Sequence, residues 1–538
     1  MVNKKFNTFL TLFICFGSIS AQQPTLLFDV NPGITSGTGT NYTTTIGTHG
    51  FFYGLTNSQG RELWVSDGTP AGTHLVKDIY PGSTYGANGL PLVVFKNKVW
   101  FNAHSSGNGD ELWSSDGTSA GTTEINVDST GNNSFPDFMA AGTDYLYFSA
   151  YDKTNIIALW RTDGTAVGTV EIVKEIAGNP VNLREMVIIG NTAYFTVLGP
   201  INGQLWKTDG TAASTVMVKD LAPGSFGYIS QLTAIGNKVY FSGDNNFGNN
   251  GEPWVSDGTT NGTVLLQDIN PFGSSDPHWF YGFKDKVYFI TSDGLLRRTD
   301  GTPAGTEQFG NYFTSALPTD PTNLLGDANY LYFGAKQPGV GPGIELWRTD
   351  GNVANTSMVK DLNPGTAASN PREFAFAGGK LYFQATVDGH GSELAVSDGT
   401  DAGTQLLNDV APGSTNAAPR HLASVGNHLI FIADHPDYGT ELFQLDITTG
   451  TFSPLQPNVE LKVSPNPVFD QTILALPSTC DWQHGQVRLF NVSGKLVLET
   501  KPTGVEGVLS LQNLASGIYW LEYTDATGHV GRTKLIKE

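Results

Sequence analysis

Two kinds of carboxylate recur along the chain regularly enough to suggest chemistry. Aspartates stand in a Ser/Thr-Asp-Gly setting at Asp67, Asp116, Asp163, Asp209, Asp257, Asp300, Asp350 and Asp398, and glutamates recur at Glu62, Glu111, Glu252, Glu345, Glu393 and Glu441. Carboxylates serve general acid–base catalysis and cation binding. A residue present in nearly every unit of a repeat, however, is more economically explained by construction than by a single active site.

Each aspartate can hydrogen-bond the backbone two residues on, and the glycine after it can take positive φ, so all eight read as structural turns. The glutamates are replaced in three copies by Ala158, Gln204 and Leu295. A carboxylate this replaceable reads as a solvated or turn-bonded group, not a general acid. The chain contains no Gly-x-Ser-x-Gly elbow, no His-Glu-x-x-His, no alternating-Asp calcium loop and no glycine-rich phosphate motif. Its ten histidines are scattered, none at metal-ligand spacing. No catalytic residue, metal site or cofactor is therefore assigned.

The elements that carry these residues repeat about every 48 residues, a period of solenoids, arrays or propellers. Each unit holds four strand-like runs, as at 138–141, 145–151, 158–162 and 169–176, which is the composition of a propeller blade. Very short turns such as Lys96-Asn97-Lys98, Gly190-Asn191 and Gly378-Gly379 join the first two strands as tight hairpins. Trp64, Trp113, Trp160, Trp206, Trp254 and Trp347 share one strand position and read as packing between neighbouring blades.

The ends of the array are informative. Leu26-Leu27-Phe28-Asp29-Val30-Asn31-Pro32-Gly33 matches a fourth strand and its exit turn with no strands before it, while the ninth copy, Glu441 to Asp446, lacks a clear fourth strand. A closed ring pairs such ends and removes its sheet edges. The expectation is an all-β chain: a large propeller of eight to nine four-stranded blades whose termini close the ring. Because nine exceeds the usual number, one unit is expected to pack irregularly, and the sixth, with Leu295, Leu296 and Arg297, is the most suspect.

In a propeller the first-to-second and third-to-fourth turns lie on one face, and the second-to-third and blade-to-blade connections on the other. Only the second set varies here, and binding residues usually sit on such loops. His278, Arg372, Arg420 and His421 are the candidate ligand-binding residues, expected to line the central mouth of that face and meet an anionic or glycan ligand.

The net charge of −20 makes nucleic acid and anionic membrane surfaces poor partners. Lys4-Lys5, an apolar stretch from Phe6 to Phe16 and a small-residue run ending at Ala21 read as a signal peptide over residues 1–21. Ile14 before Cys15 argues against a lipoprotein cleavage site, and Cys480 is then the one cysteine left, so no intramolecular disulfide is expected. No later apolar run is long enough to span a bilayer, so the protein is not expected to be integral to a membrane. The repeat unit is assigned to 22–450, a Pro-, Asn- and Gln-containing linker to 451–460, and a separate domain to 461–538.

The repeats, with Glu-Leu-Trp-x-Ser-Asp-Gly-Thr at Glu62 and Glu111, resemble the bacterial ELWxxDGT repeat family over roughly residues 26–450. That resemblance identifies a repeat, not an activity. After the linker, Ser464-Pro465-Asn466-Pro467, Asn491-Val492-Ser493-Gly494-Lys495 and Ser516-Gly517-Ile518-Tyr519 resemble the type A sorting domain of type IX secretion in Bacteroidetes. This second resemblance implies a small β-sandwich, export through the outer membrane by the type IX machinery, and release or surface attachment. The function expected is a secreted or cell-surface binding or structural module, with extracellular glycan or protein as the possible ligand. The alternative is a propeller enzyme acting on extracellular polysaccharide.

Overall fold

Apolar runs separated by two-residue Gly, Asn and Asp turns favour short antiparallel strands, and the computed structural model contains little else. It describes residues 24–32, 36–127, 133–199, 203–223, 227–244, 251–314, 324–336, 341–407, 410–411, 415–447, 462–464, 468–469, 471–475, 486–491, 496–501, 508–512, 514–524 and 530–538. The signal-peptide, linker and Cys480 assignments lie outside these residues. Among the described residues, helical turns are confined to two 3₁₀ segments, Ala212–Ser214 and Val353–Asn355. The chain divides into two compact units, one of Gln22–Gly450 and one that contains Thr451–Glu538.

The first unit is a nine-bladed propeller. Its inner strands are Thr38–Ile46, Val93–Phe95, Asp137–Ala141, Leu183–Ile189, Ile229–Ile235, His278–Phe283, Leu324–Gly326, Arg372–Ala377 and Arg420–Val425, which begin blades 1 to 9. Each inner strand touches the next around the ring, and that of blade 9 touches that of blade 1. The lone strand Thr25–Phe28 pairs antiparallel with Gly439–Asp446, supplying the fourth strand of blade 9 and closing the ring.

Second strands are covered on both faces by neighbouring blades, which is why they read as continuous apolar runs without alternation. Phe51, Phe52 and Tyr53 in blade 1, and Val239, Tyr240 and Phe241 in blade 5, are all buried. The core is therefore a set of clusters between blades. Trp113 of blade 2 packs with Phe51, Tyr53 and Leu63 of blade 1, and Trp64 of blade 1 packs with Ile430, Ile432 and Leu442 of blade 9.

The sixth copy departs from the expected irregularity, because it forms a complete blade from His278–Phe283, Lys286–Ile290, Leu295–Thr299 and Glu307–Thr314. Arg297 takes the place of the tryptophan, buried, with two hydrogen bonds to the Asp293 carboxylate at 2.8 and 2.9 Å. The irregularity falls one step later. The last strand of blade 6 runs on and pairs with Leu331–Lys336 of blade 7, so the two blades share one sheet.

The second unit holds a three-stranded sheet, Lys462–Ser464, Gln471–Ala475 and Val508–Ser510, and a four-stranded sheet, Leu496–Thr500, Gln486–Asn491, Gly517–Thr524 and Val530–Lys537. Val487, Leu489, Leu521 and Leu535 of the larger sheet share a buried core with Leu509 of the smaller, the layering of a small β-sandwich.

Candidate functional site

The repeated aspartates close turns. In blade 1, Asp67 Oδ1 accepts from Thr69 N at 2.9 Å and from Thr69 Oγ1 at 2.7 Å, and Ser66 Oγ accepts from Gly68 N at 3.0 Å. Thr73 Oγ1 then donates to Thr69 O at 2.7 Å, so the eight-residue segment satisfies its own polar groups. The same pattern recurs at Asp116, Asp163, Asp257, Asp300 and Asp398. The hydroxyl donated by Thr69, the largest influence, holds Asp67 below the usual carboxylate range.

A glycine five residues after the aspartate is needed for space: a Cβ on Gly72 would stand 2.1 Å from Asp67 Oδ1. In blades 4 and 7 that glycine is replaced by Ser214 and Asn355, and each replacement turns its side chain onto the aspartate, Asn355 Nδ2 reaching Asp350 Oδ2 at 2.8 Å. Both of these turns tighten into the 3₁₀ segments.

The turns also clasp blade to blade. Lys96 of blade 2 donates to Asp163 O at 2.9 Å, Lys207 of blade 4 to Gly258 O at 2.8 Å, Arg298 of blade 6 to Gly351 O at 2.7 Å and Lys360 of blade 7 to Asp401 O at 3.1 Å. Each basic residue belongs to the blade before the turn it holds.

The glutamates correct the sequence reading in one respect, for they are not solvated. Glu62, Glu111, Glu252, Glu345, Glu393 and Glu441 are all buried. Each binds the segment leaving its own blade: Glu111 accepts from Val127 N at 2.8 Å and Ser134 Oγ at 2.8 Å, Glu252 from Ile269 N and Ser275 Oγ at 2.8 Å, and Glu393 from Val410 N at 2.8 Å. Burial, opposed by these backbone donors, pushes the Glu62 and Glu441 carboxyls up to about 8. A carboxylate titrating in this range would ordinarily mark an active site, but its recurrence in six blades with the same partners marks a staple.

The three blades without the glutamate secure their exits differently. Past Ala158, blade 3 leaves through a small hairpin of Glu175–Ile176 and Asn179–Pro180. Past Leu295, the exit of blade 6 stays extended and joins blade 7. In blade 4, Gln204 Nε2 reaches Asp220 Oδ2 at 2.9 Å, and Asp220 in turn accepts from Ala222 N at 3.0 Å.

The four candidate binding residues begin inner strands of blades 6, 8 and 9. His278 is buried, with Nδ1 2.7 Å from Asp276 O, so Nδ1 carries the proton, and no partner reaches its Nε2. Arg372 Nε donates to Gln384 Oε1 at 3.0 Å, and Arg420 pairs with Asp434 at 3.0 Å, each within its own blade. His421 differs: its backbone N–H donates to Glu373 Oε2 of blade 8 at 2.9 Å, and its backbone carbonyl accepts from Thr43 Oγ1 of blade 1 at 3.3 Å. Burial, then the Arg420 charge, lowers its imidazole to about 4, leaving it uncharged at neutral pH. The His421 backbone is thus joined to both neighbouring inner strands, while the side chains of the other three bond within their own blades or the crossover before them.

Two open cavities are present among the described residues. One, of about 490 Å³, lies at the closure seam between Phe28–Pro32 and Thr56–Gln59; the other, of about 280 Å³, lies between Lys284–Lys286 and Asp350–Asn352. Among the described residues no group of three or more His, Cys, Asp or Glu side chains could hold a metal, and no helix is long and apolar enough to cross a membrane.

Ring and staples define the first unit as a nine-bladed, four-stranded-blade propeller. Residues 462–538 match the family of secretion system C-terminal sorting domains, which indicates export by type IX secretion to the outside of the cell or its outer surface. No curated protein matches the chain. Among solved structures the chain is similar to a computationally designed protein, Ika8, at 16% identity over 66% of this chain and 95% of that one, with a TM-score of 0.39. It is also similar to a puromycin hydrolase (14% identity, 74% and 60% covered, TM-score 0.33) and to BamB from Moraxella catarrhalis (12%, 66% and 96%, 0.34). These scores are too low to transfer any property.

Proposed function

We propose that this chain is a non-catalytic binding module of the ELWxxDGT-repeat kind, from a Bacteroidetes-type bacterium. Its signal peptide, residues 1–21, is removed on export, and the type IX machinery reads residues 461–538. The propeller of residues 22–450 then meets an extracellular glycan or protein with its crossover face, where His278, Arg372, Arg420 and His421 lie.

The observation that carries this reading is the division of labour along the repeat. Aspartate turns, glutamate staples and tryptophans are occupied by construction in blade after blade, so ligand recognition falls to the residues that differ between blades at the starts of the inner strands. The enzyme reading needs carboxylates from several blades converging on one point. Each raised carboxylate is instead bound to the exit of its own blade or, for Glu441, to the N-terminal segment that completes its blade.

The test is twofold. Deleting residues 461–538 should retain the protein inside the cell, and the exported wild-type protein should be retained saturably on an immobilised polysaccharide or extracellular protein. Export without the domain, or no retention on any of them, overturns the reading.

A further inference from the structure

Five inner strands carry a non-glycine residue at positive φ in the same place: Phe138 (49°), Gln231 (60°), Trp279 (55°), Glu373 (56°) and His421 (55°). Bulky residues rarely take this conformation, and holding one there costs about 1–3 kcal/mol. At each the register with the second strand slips, between Asp137 and Ala140, Ser230 and Thr233, His278 and Tyr281, Arg372 and Ala375, and Arg420 and Ala423. Each is therefore a β-bulge, the device that re-aims a side chain.

Four of the five sit three residues after a second left-handed residue that directly precedes a proline: Phe135 (46°), Asp276 (42°), Asn370 (45°) and Ala418 (43°). The strain is imposed twice in these blades. If only the backbone shape mattered, glycine would supply it without cost. In none of the five blades does glycine do so, and no two of the five side chains are alike.

Five different side chains on one repeated and strained support are the arrangement of a recognition site. The strands that carry them surround the ring's opening, and the Glu373–His421 and Thr43–His421 hydrogen bonds run from one inner strand to the next. The chemistry there is two aromatic groups, Phe138, 40% exposed, and Trp279, which also packs on the cluster between blades 6 and 7, with a carboxamide, a carboxylate that takes the His421 backbone N–H and an uncharged imidazole. Aromatic faces cover the C–H side of a sugar ring, and the polar groups meet hydroxyls. The flanking cations are engaged within their own blades, Arg372 with Gln384 and Arg420 with Asp434, and the chain is strongly acidic.

We propose that Phe138, Gln231, Trp279, Glu373 and His421 form a contact ring for a neutral oligosaccharide at the opening of the propeller. This rests on the binding-module reading and names its ligand class.

The test is calorimetric titration of the exported protein with cellohexaose, maltohexaose, xylohexaose, mannohexaose and hexagalacturonate. At least one neutral sugar should bind, and its affinity should fall about tenfold or more in Phe138→Ala and in Trp279→Ala. It should survive in Phe138→Trp, which keeps an aromatic face, and in Phe272→Ala, which removes a fully exposed aromatic elsewhere. Phe138→Ala, Phe138→Trp and Phe272→Ala should keep the wild-type melting curve; Trp279→Ala, which also loses packing on Phe283, Tyr288 and Ile290, should melt earlier and is titrated well below its transition. Binding that persists in both alanine variants overturns the ring but leaves the binding-module reading intact, and so does preference for hexagalacturonate. No binding to any of the five sugars also overturns the ring, and if the protein is at the same time retained on no other polysaccharide or protein, the wider reading falls with it.

Discussion

Glu441 Oε2 accepts a hydrogen bond from Val30 N at 3.0 Å, joining points 411 residues apart in the chain. The same carboxylate takes Gly37 N through Oε1 at 2.6 Å. Each of the other glutamate staples holds the exit of its blade as the chain runs on to the next; this one holds the N-terminal segment, so the closure of the ring repeats the internal joints.

Glu441→Ala should therefore open the seam. Val30 N loses its acceptor, at a cost of about 1–3 kcal/mol if it stays buried, and Gly37 N is left with Thr440 O at 3.2 Å. Glu345→Ala, an interior staple, should lower the melting temperature comparably. Only Glu441→Ala should expose Thr25–Phe28 to limited proteolysis, because only there does the freed segment end the array.

Stability should fall as pH rises. Glu62 and Glu441 are raised from 4.5 to about 8 in the folded protein, so between those values the native state binds more protons than the unfolded chain. Their contribution is full below about pH 4.5 and is lost as pH rises through about 8. Melting temperatures measured from pH 6 to 9 should decline, and the decline should be shallower in a Glu62→Gln, Glu441→Gln variant, whose side chains do not titrate.

The turn glycines should discriminate between substitutions. A Cβ on Gly403 would lie 2.1 Å from the Asp398 carboxylate, so Gly403→Ala should cost on the order of 1–3 kcal/mol. Gly403→Ser should cost less, because Ser214 in blade 4 already shows how a hydroxyl at this position takes up the aspartate. Comparison of the two in chemical denaturation checks this.

Arg297 sits in a slot that six other blades fill with tryptophan. Against the opposing effect of burial, hydrogen bonds from Arg297 and Thr291 hold the Asp293 carboxyl down to about 2. Arg297→Ala should cost about 2–4 kcal/mol through lost packing and pairing. Arg297→Trp should be far milder, because the slot between blades 5 and 6 is built on the tryptophan pattern.

The ring was legible in the sequence because its signals are local. The repeat spacing, the turn residues and the orphan fourth strand at Leu26 to Gly33 all lie within a few residues of the structure they specify. The glutamates read in sequence as solvated or turn-bonded because residue type argues for exposure, while their partners, such as Ile269 and Ser275 for Glu252, lie in the next crossover and are seen only once the chain has turned back. His421 and its neighbours stood out as variable loop residues, but a bulge adds one residue and reverses the alternation of faces. Arg420 and His421 are adjacent in sequence, yet the Arg420 side chain pairs within its blade and the His421 backbone bonds to the neighbouring inner strands, and nothing in the residue types says so. Phe138, Gln231, Trp279 and Glu373 were missed for that reason. A Pro two residues before Phe138, Trp279, Glu373 and His421, at Pro136, Pro277, Pro371 and Pro419, was the available signal.

The central claim, that the exported propeller binds its ligand without transforming it, is tested most directly by incubating purified exported protein with a polysaccharide that retains it and measuring reducing ends over time. The account predicts saturable retention with no reducing ends above those of the polysaccharide alone. Reducing ends that accumulate in proportion to protein concentration would contradict it and make the chain a polysaccharide-cleaving enzyme.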